Sequence, residues 1–424
     1  MTINKRLLVF SADPLSHTSN NGKTIESFIS KWDKEAIAQI YINEANLPES
    51  SVCKKYFKIS DMDMLKRILW NKSDVGNIIE MKVYFKKDIK KRDESYLFNK
   101  LKKTNIARIF REILWIKGVE NNSKLIRWVS EFNPQVLLFQ GGDAVFSYKL
   151  ALRIADEFGL PIIFQVTDEY LTRSIGLSIS GLIRKIYLSK YFNIMIKRCR
   201  VLLTIGDEMK NEYFKKYQKE SKTIMNSINI KELSKHDINR PINIVYAGSL
   251  YYGRDESLLL FIKALKIINK ESVKIVLSIY TSTKLSNIKM LDEVYIKVFN
   301  IVSSCELEKI IENSDMLLFL ECFKRKERLK TRLSISTKIP EYMASGRCIF
   351  ALGPDDVSSI KYLKNVSVVC SSSNPSLISK ELNKIVSNES EMKKLAKNAY
   401  LLAKRQHNVE DVAIKFEKIV NSID

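Results

Sequence analysis

A lysine sits in a hydroxyl-rich turn just ahead of a short helical pattern. Ser334, Ser336 and Thr337 precede Lys338, and Pro340 and Glu341 follow within one turn. Proline suits the first turn of a helix, where its missing N–H costs nothing. Such a turn offers backbone N–H groups and the positive end of the helix dipole, which suits a phosphate, and Lys338 adds a full charge. Glu341, one turn in, is placed to accept hydrogen bonds from vicinal sugar hydroxyls. The same residue types also build an ordinary capped helix, and the residues alone do not choose between the two.

Other chemistries find little support. No G-x-G-x-x-G fingerprint marks a nicotinamide or flavin site, so no cofactor is expected. The six cysteines (Cys53, Cys199, Cys305, Cys322, Cys348, Cys370) lack paired spacing, which predicts buried free thiols and no disulfide framework or zinc site. The three histidines, His17, His236 and His407, are far apart, so no metal site is expected from them.

These residues need elements to hold them. Short apolar runs recur at 6–10, 37–42, 136–139, 161–166 and 201–205, then at 242–246, 273–280, 296–301, 316–320, 348–352 and 366–370. Helix-length amphipathic segments follow them. Strands that read as continuous apolar runs and alternate with helices predict parallel sheets covered on both faces. The 424 residues suit two such α/β domains. The polar stretch 228–241 is the expected boundary, giving domains 1–235 and 241–405, with a terminal helix at 406–424 packing back on the first. Glycine is scarce, 13 in all, and Gly141, Gly142, Gly248, Gly253, Gly346 and Gly353 flank the expected strands. Open α/β sheets bind ligands at the carboxyl ends of their strands.

The formal charge is +22. Residues 1–240 hold 42 Lys+Arg against 27 Asp+Glu, so most of the excess lies in the first half. Such a field attracts nucleic acid, anionic lipid or phosphorylated substrates, although a lysine-rich solvated surface would carry it too. Within 54–117, basic residues interleave with Tyr56, Phe57, Trp70, Tyr84, Phe85, Tyr96, Phe98, Phe110 and Trp115. Phe98, Leu101, Ile109, Ile113 and Ile116 recur there at helical spacing, and a second basic-apolar stretch spans 173–200. A basic amphipathic helix can lie on an anionic membrane; it can equally dock its apolar face on its own sheet. No run is long enough to span a bilayer and no signal-peptide core opens the chain, which predicts a cytoplasmic protein.

The segment STKIPEYMASGRCIFALGP, 336–354, resembles the (S/T)-K-x-x-E-Y-x-A-x-G-(K/R)-P-I region of GT-B glycosyltransferases. These are the family-four-like retaining enzymes of bacterial capsule, O-antigen and exopolysaccharide synthesis. VYAGSLYYGRDESL (245–258) is similar to that family's first strand and phosphate-proximal loop in the nucleotide-sugar domain. VFNIVSSCELEKIIENSDMLLFL (298–320), which carries Phe299, resembles its base-binding strand and the helix and strand after it. FNPQVLLFQGGDAVFSYKLA, PIIFQVTDEY, LLTIGDEMKNEYFKKY and TIMNSINI resemble the family's first-domain segments in the same order.

The resemblance implies two Rossmann-like domains with parallel sheets facing each other across a cleft. It implies that Glu341 holds the nucleotide ribose, and that Lys338 and Arg254 neutralise the diphosphate, with Gly248, Ser249, Gly253, Phe299, Ser336 and Thr337 around the donor. Asp168 would approach the reacting sugar, and His17, Gly22, Lys23 and Thr24 would face the acceptor. A nucleotide sugar, a lipid-linked or oligosaccharide acceptor and an anionic inner-leaflet surface are the implied partners. Transfer would retain configuration, with Lys, Arg and a helix dipole in place of a metal. Two departures stand out. Many relatives carry two glutamates with seven residues between them, and the earlier position is Leu333. Many also carry Arg after the first glycine of the second domain, and a Lys-Gly further on, where this chain has Ser249 and Tyr252–Gly253.

Three other readings compete with transfer. A nucleotide-sugar epimerase would need more carboxylates and a nearby histidine. A non-catalytic GT-B component of a polysaccharide assembly system would fit Leu333. A nucleic-acid-binding protein would fit the charge, but no helix-turn-helix, RNP or zinc signature accompanies it.

Overall fold

In the computed structural model the apolar runs become buried parallel strands. The structure describes residues 4–17, 20–43, 47–70, 74–80, 105–119, 122–173, 179–233, 236–283 and 294–423. Met1–Ile224 with Val412–Asp424 form one unit, and Met225–Asp411 form the other.

In the first unit β1 (Leu7–Ser11) leads through α1 (Asn20–Phe28) to β2 (Ile37–Tyr41), β3 (Lys55–Lys58), α2 (Asp61–Trp70) and β4 (Asn77–Glu80). Helices α3 (Asn105–Val119) and α4 (Ser123–Phe132) precede β5 (Val136–Gln140). Then come α5 (Val145–Glu157), β6 (Ile162–Val166), α6 (Tyr170–Arg173), α7 (Ile179–Arg198), β7 (Val201–Thr204), α8 (Asp207–Tyr217) and β8 (Ser221–Thr223). The sheet order is β4-β3-β2-β1-β5-β6-β7-β8. Its pairs are parallel except β3 with β4. Strands β1, β2, β5 and β6 are buried at every position, as the continuous apolar runs require of a sheet covered on both faces.

Three strands were not among the apolar runs. β3 reads KYFK, with Tyr56 and Phe57 fully buried between half-exposed lysines. Those two aromatics, expected on a membrane-facing segment, are core residues, and so is Trp115, stacked on Phe146 at 4.2 Å. Tyr84, Phe85, Tyr96, Phe98 and Leu101 lie outside the described residues.

The second unit runs β9 (Ile242–Ala247), α9 (Arg254–Ile268), β10 (Ile275–Tyr280), β11 (Ile296–Phe299), α10 (Ser304–Glu312) and β12 (Met316–Leu320). It continues with α11 (Arg325–Thr331), α12 (Lys338–Ala344), β13 (Cys348–Leu352), α13 (Ser358–Leu363), β14 (Val368–Cys370), α14 (Pro375–Val386) and α15 (Glu389–Gln406). Its all-parallel order, β11-β10-β9-β12-β13-β14, is that of a doubly wound nucleotide-binding sheet. The order reverses between β9 and β12, so the crevice beyond their carboxyl ends is where such a sheet takes ligands.

This unit starts at Met225, ahead of the polar stretch 228–241. The carbonyl of Asn226 accepts from Nδ1 of the buried His407 at 2.6 Å, and Ile228 pairs with Asn408. The last helix, α16 (Val409–Asn421), passes from the second unit back to the first. There Phe416 packs between Phe28 and Trp32, at 5.8 and 5.9 Å. All six cysteines are free, and only Cys305 is exposed.

Candidate active site

Helix α12 is fastened to the end of β9 by a buried phenol. The backbone N–H of Ala247 donates to Tyr342 Oη at 3.0 Å, and that hydroxyl donates back to the Ala247 carbonyl at 3.4 Å. One turn earlier on the helix, Lys338 is thereby carried onto the loop that follows β9. Its ammonium lies where a side chain on residue 248 would begin, so Gly248 is the residue that makes room for it. Gly248 also has φ +145°, a conformation that side-chain-bearing residues rarely adopt. Nζ sits 5.2 Å from the centre of the Tyr246 ring, a cation–π contact.

Among the described residues the Lys338 ammonium has no hydrogen-bond or ion-pair partner. Burial, with the neighbouring Arg254 guanidinium adding repulsion, pulls its pKa down to about 7, against the opposing pull of Glu341 and Glu321. The turn ahead of the helix is not a simple cap. Thr337 makes no side-chain capping bond, and Ser336 Oγ meets the Lys338 N–H only at 3.4 Å. The Ser336 N–H donates instead to Ser359 Oγ at 3.3 Å. Gly346, just beyond the helix, has φ +68°, the left-handed conformation that commonly ends one.

Arg254 opens α9, behind a loop in which Gly248, Tyr252 and Gly253 all have positive φ. Its Nε donates to the Leu320 carbonyl at 3.1 Å, and one terminal nitrogen reaches both oxygens of Glu321 at 3.1 and 3.2 Å. Both partners are largely withdrawn from solvent. Ser257 ties down the other side, donating to the Glu321 carbonyl at 2.8 Å. The sequence reading missed Glu321. Its signal was a single carboxylate directly after the wholly apolar β12, on the carboxyl side of the switch point.

Phe299 closes β11 and stacks on Tyr280 at 4.7 Å and 14° while remaining partly open to solvent. The Tyr280 carbonyl accepts from the Gly248 N–H at 2.8 Å, so Phe299, Tyr280, Gly248 and Lys338 form one connected line. Ser249 joins it through its carbonyl, which accepts from Tyr246 Oη at 2.8 Å. Glu341 is half-buried on α12 and acts electrostatically on Lys338. Leu333, at the position where relatives carry a glutamate, is buried.

The remaining candidates lie in the first unit. Asp168 is half-buried on the turn after β6, where its carbonyl accepts from the Tyr170 N–H at 3.0 Å. His17 is exposed and its Nδ1 meets the carboxylate of Glu26, a residue the sequence reading did not single out. Burial raises the Glu26 pKa, opposed by His17. Gly22 and Thr24 are buried on α1 and Lys23 is half-buried beside them.

A cavity of about 380 Å³ lies at the other end of the second unit's sheet, near the start of β12. Its His236–Asp315 pair, 2.9 Å apart, belongs to the fold. Asp315 is fully enclosed and also accepts from the N–H groups of Asn239 and Asn243 at 3.0 and 2.8 Å. Among the described residues, no three His, Cys, Asp or Glu side chains come together as a metal site would require.

Two open sheets of this order, with the converging residues at the switch point of the second, define a GT-B fold. Solved structures agree along the whole chain. Anabaena HepE in complex with UDP superposes with a TM-score of 0.64 at 8% identity, covering 99% of this chain and 100% of that one. Sucrose-phosphate synthase from Thermosynechococcus elongatus gives 0.63 at 8% identity, covering 98% of each chain. The α,α-trehalose 6-phosphate synthase of Burkholderia multivorans gives 0.61 at 10% identity, covering 99% of each. At such identities the likeness shows the fold. No protein-family model matches the sequence, and neither does any curated protein sequence.

Proposed function

We propose that this chain is a glycosyltransferase moving a sugar from a nucleoside-diphosphate sugar to an acceptor hydroxyl. The observation that carries the reading is the Lys338 ammonium, set against Gly248 at the switch point with no partner among the described residues. A cation held there at the expense of its own pKa is a seat for an anion. Similar folds have been solved with such ligands, HepE with UDP and with UDP-glucose.

In this reading Lys338 faces the diphosphate, with the second terminal nitrogen of Arg254 beside it. Glu341 accepts from the ribose hydroxyls, and the Phe299–Tyr280 stack offers a flat surface to the base. As the bond from the anomeric carbon to the diphosphate oxygen breaks, negative charge grows on the phosphate, where these cations stabilise it. The acceptor oxygen bonds to the same face of the carbon and its proton passes to the departing diphosphate. Configuration is retained, and neither a protein base nor a metal is needed. Asp168, His17, Gly22, Lys23 and Thr24 belong to the acceptor side. The acceptor is a lipid-linked or growing cell-surface polysaccharide, and the enzyme works from the cytoplasm on the inner face of the membrane.

A second reading, a GT-B component that binds the donor without consuming it, is favoured by Leu333 in the core and by the commitment of Arg254 to Glu321. Thermal-shift titration with UDP, GDP, ADP and CMP tests the shared donor site, since a ligand of the native state raises its melting temperature. Transfer predicts a shift with at least one diphosphate, loss of that shift in Glu341→Ala, and slow hydrolysis of the matching nucleotide sugar. Binding without any consumption, with or without acceptor extract, would select the second reading. No shift with any of them would overturn both.

A further inference from the structure

Helix α3 in the first unit is built inside out. Three of its charged side chains engage neighbouring elements: Glu112 caps α5, accepting from the Val145 and Phe146 N–H groups at 2.7 Å each. Arg108 pairs with Asp143 at 2.8 Å, and Arg111 with Asp61, also at 2.8 Å. The face turned to water carries Phe110, 69% exposed, with Ile113 and Ile116 following at three-residue steps.

Helix α7 does the same at one residue. Arg184 is buried and donates to the Asp143 carbonyl at 2.8 Å, so Asp143 holds both helices. Outward lie Ile179, 80% exposed, then Leu182, Ile183 and Ile186, spaced as one helical stripe. α2, joined to α3 through Asp61, adds Leu69 and Trp70 at its end, 69% and 62% exposed. A surface helix ordinarily shows water its polar face. Single exposed apolar residues need no explanation, but adjoining stripes on packed helices do.

The charge carried by α7 has one sign. α7 holds five basic residues and no acidic one, and Lys190 and Lys197 continue its apolar stripe, both exposed. The carboxylates nearby already have partners: Asp143 on Arg108, Glu112 on the α5 cap, Asp61 on Arg111, and Asp63 on Ser60 at 2.7 Å. Among the described residues no helix is long and apolar enough to cross a membrane. Apolar residues flanked by exposed lysines are the makings of a helix face that lies in an anionic bilayer interface.

We propose that the outward faces of α3 and α7, with the end of α2, dock this protein on an anionic lipid bilayer. Phe110, Ile179, Leu182 and Ile186 enter the acyl boundary, and Lys190 and Lys197 meet the lipid phosphates. The surface deepens the reading of a membrane-borne acceptor and rests on that reading for its purpose.

The test is co-sedimentation of the full chain with phosphatidylcholine vesicles, with and without phosphatidylglycerol, alongside nucleotide thermal shifts on the same samples. Wild type is expected to bind the anionic vesicles and largely ignore the neutral ones. Phe110→Glu with Ile186→Glu is expected to cut vesicle affinity at least about tenfold, since each change removes an apolar side chain that docking would bury. Lys190→Gln and Lys197→Gln are each expected to weaken binding roughly fivefold, on anionic vesicles alone. All variants are expected to keep the wild-type melting temperature and nucleotide response. Absence of wild-type binding, or wild-type binding by the double glutamate variant, would overturn the proposal. So would a wild-type dimer, seen by light scattering, that the glutamates split while vesicles bind neither form. Vesicle binding without any nucleotide response would leave this surface standing and remove the proposed transfer.

Discussion

The ammonium of Lys338 takes the space that a side chain on residue 248 would need, and Gly248 has the φ of +145° that keeps that space open. Tyr342 sets this arrangement by pinning α12 to Ala247 at the end of β9. Glycine and lysine are therefore one device, though they are far apart in the chain.

That device predicts a pH dependence. Lys338 is held at about 7, below its ordinary value, chiefly by burial. A bound diphosphate favours the charged form and raises that value, so binding takes up a proton above pH 7. Affinity for the diphosphate is then full below about 7 and falls as pH rises, by up to about tenfold per unit. Lys338→Met is expected to flatten the profile, measured by titration from just below to about two units above a pH of about 7.

Gly248→Ala is expected to displace the ammonium and to strain the backbone, costing about 1–3 kcal/mol of stability. Adding Lys338→Ala removes the collision and leaves the backbone term. Urea unfolding of the two single variants and the double is expected to show the double less destabilised than the sum of the singles.

The Arg254–Glu321 pair predicts a structural loss larger than a surface charge change gives. Glu321→Ala leaves the guanidinium without its carboxylate in a largely enclosed site, a loss of about 3–5 kcal/mol. A urea midpoint near that of wild type would show that the pair does not hold β12 to α9.

His407 predicts acid sensitivity. Buried between Asn226 and Tyr362, it has a pKa lowered to about 4 by loss of solvation. Its folded value is below its unfolded one, so its contribution is complete above pH 6.5 and is lost as pH falls toward 4. His407→Gln is expected to be less stable than wild type at neutral pH and to lose less stability on acidification, read from melting temperatures across that range.

Much of the fold was legible because β1, β5, β6, β12 and β13 are buried on both faces and so had to be mostly apolar runs. β3 and β8 escaped because only part of each short strand is buried, and β4 because none of its residues is, so no apolar run forms. Of the candidate site, the places of Lys338 and Glu341 at a helix start and of Gly248 at a strand end were legible from their local setting. Arg254 was legible as a cation but not as a partner of Glu321, which lies 67 residues away and is chosen by the β9–β12 pairing. The aromatics of 54–117 misled for the same reason. Composition shows Trp115 and Phe110 alike, and only the packing of α3 turns one inward and the other out.

The central claim is that Lys338 receives a nucleoside diphosphate. Calorimetric titration of UDP, GDP and ADP into wild type and Lys338→Met at pH 7 tests it most directly. The account predicts that at least one diphosphate binds wild type and that the variant loses affinity by about tenfold or more, the worth of one charge-assisted contact. Equal binding by the two proteins, or no binding by wild type, would contradict it.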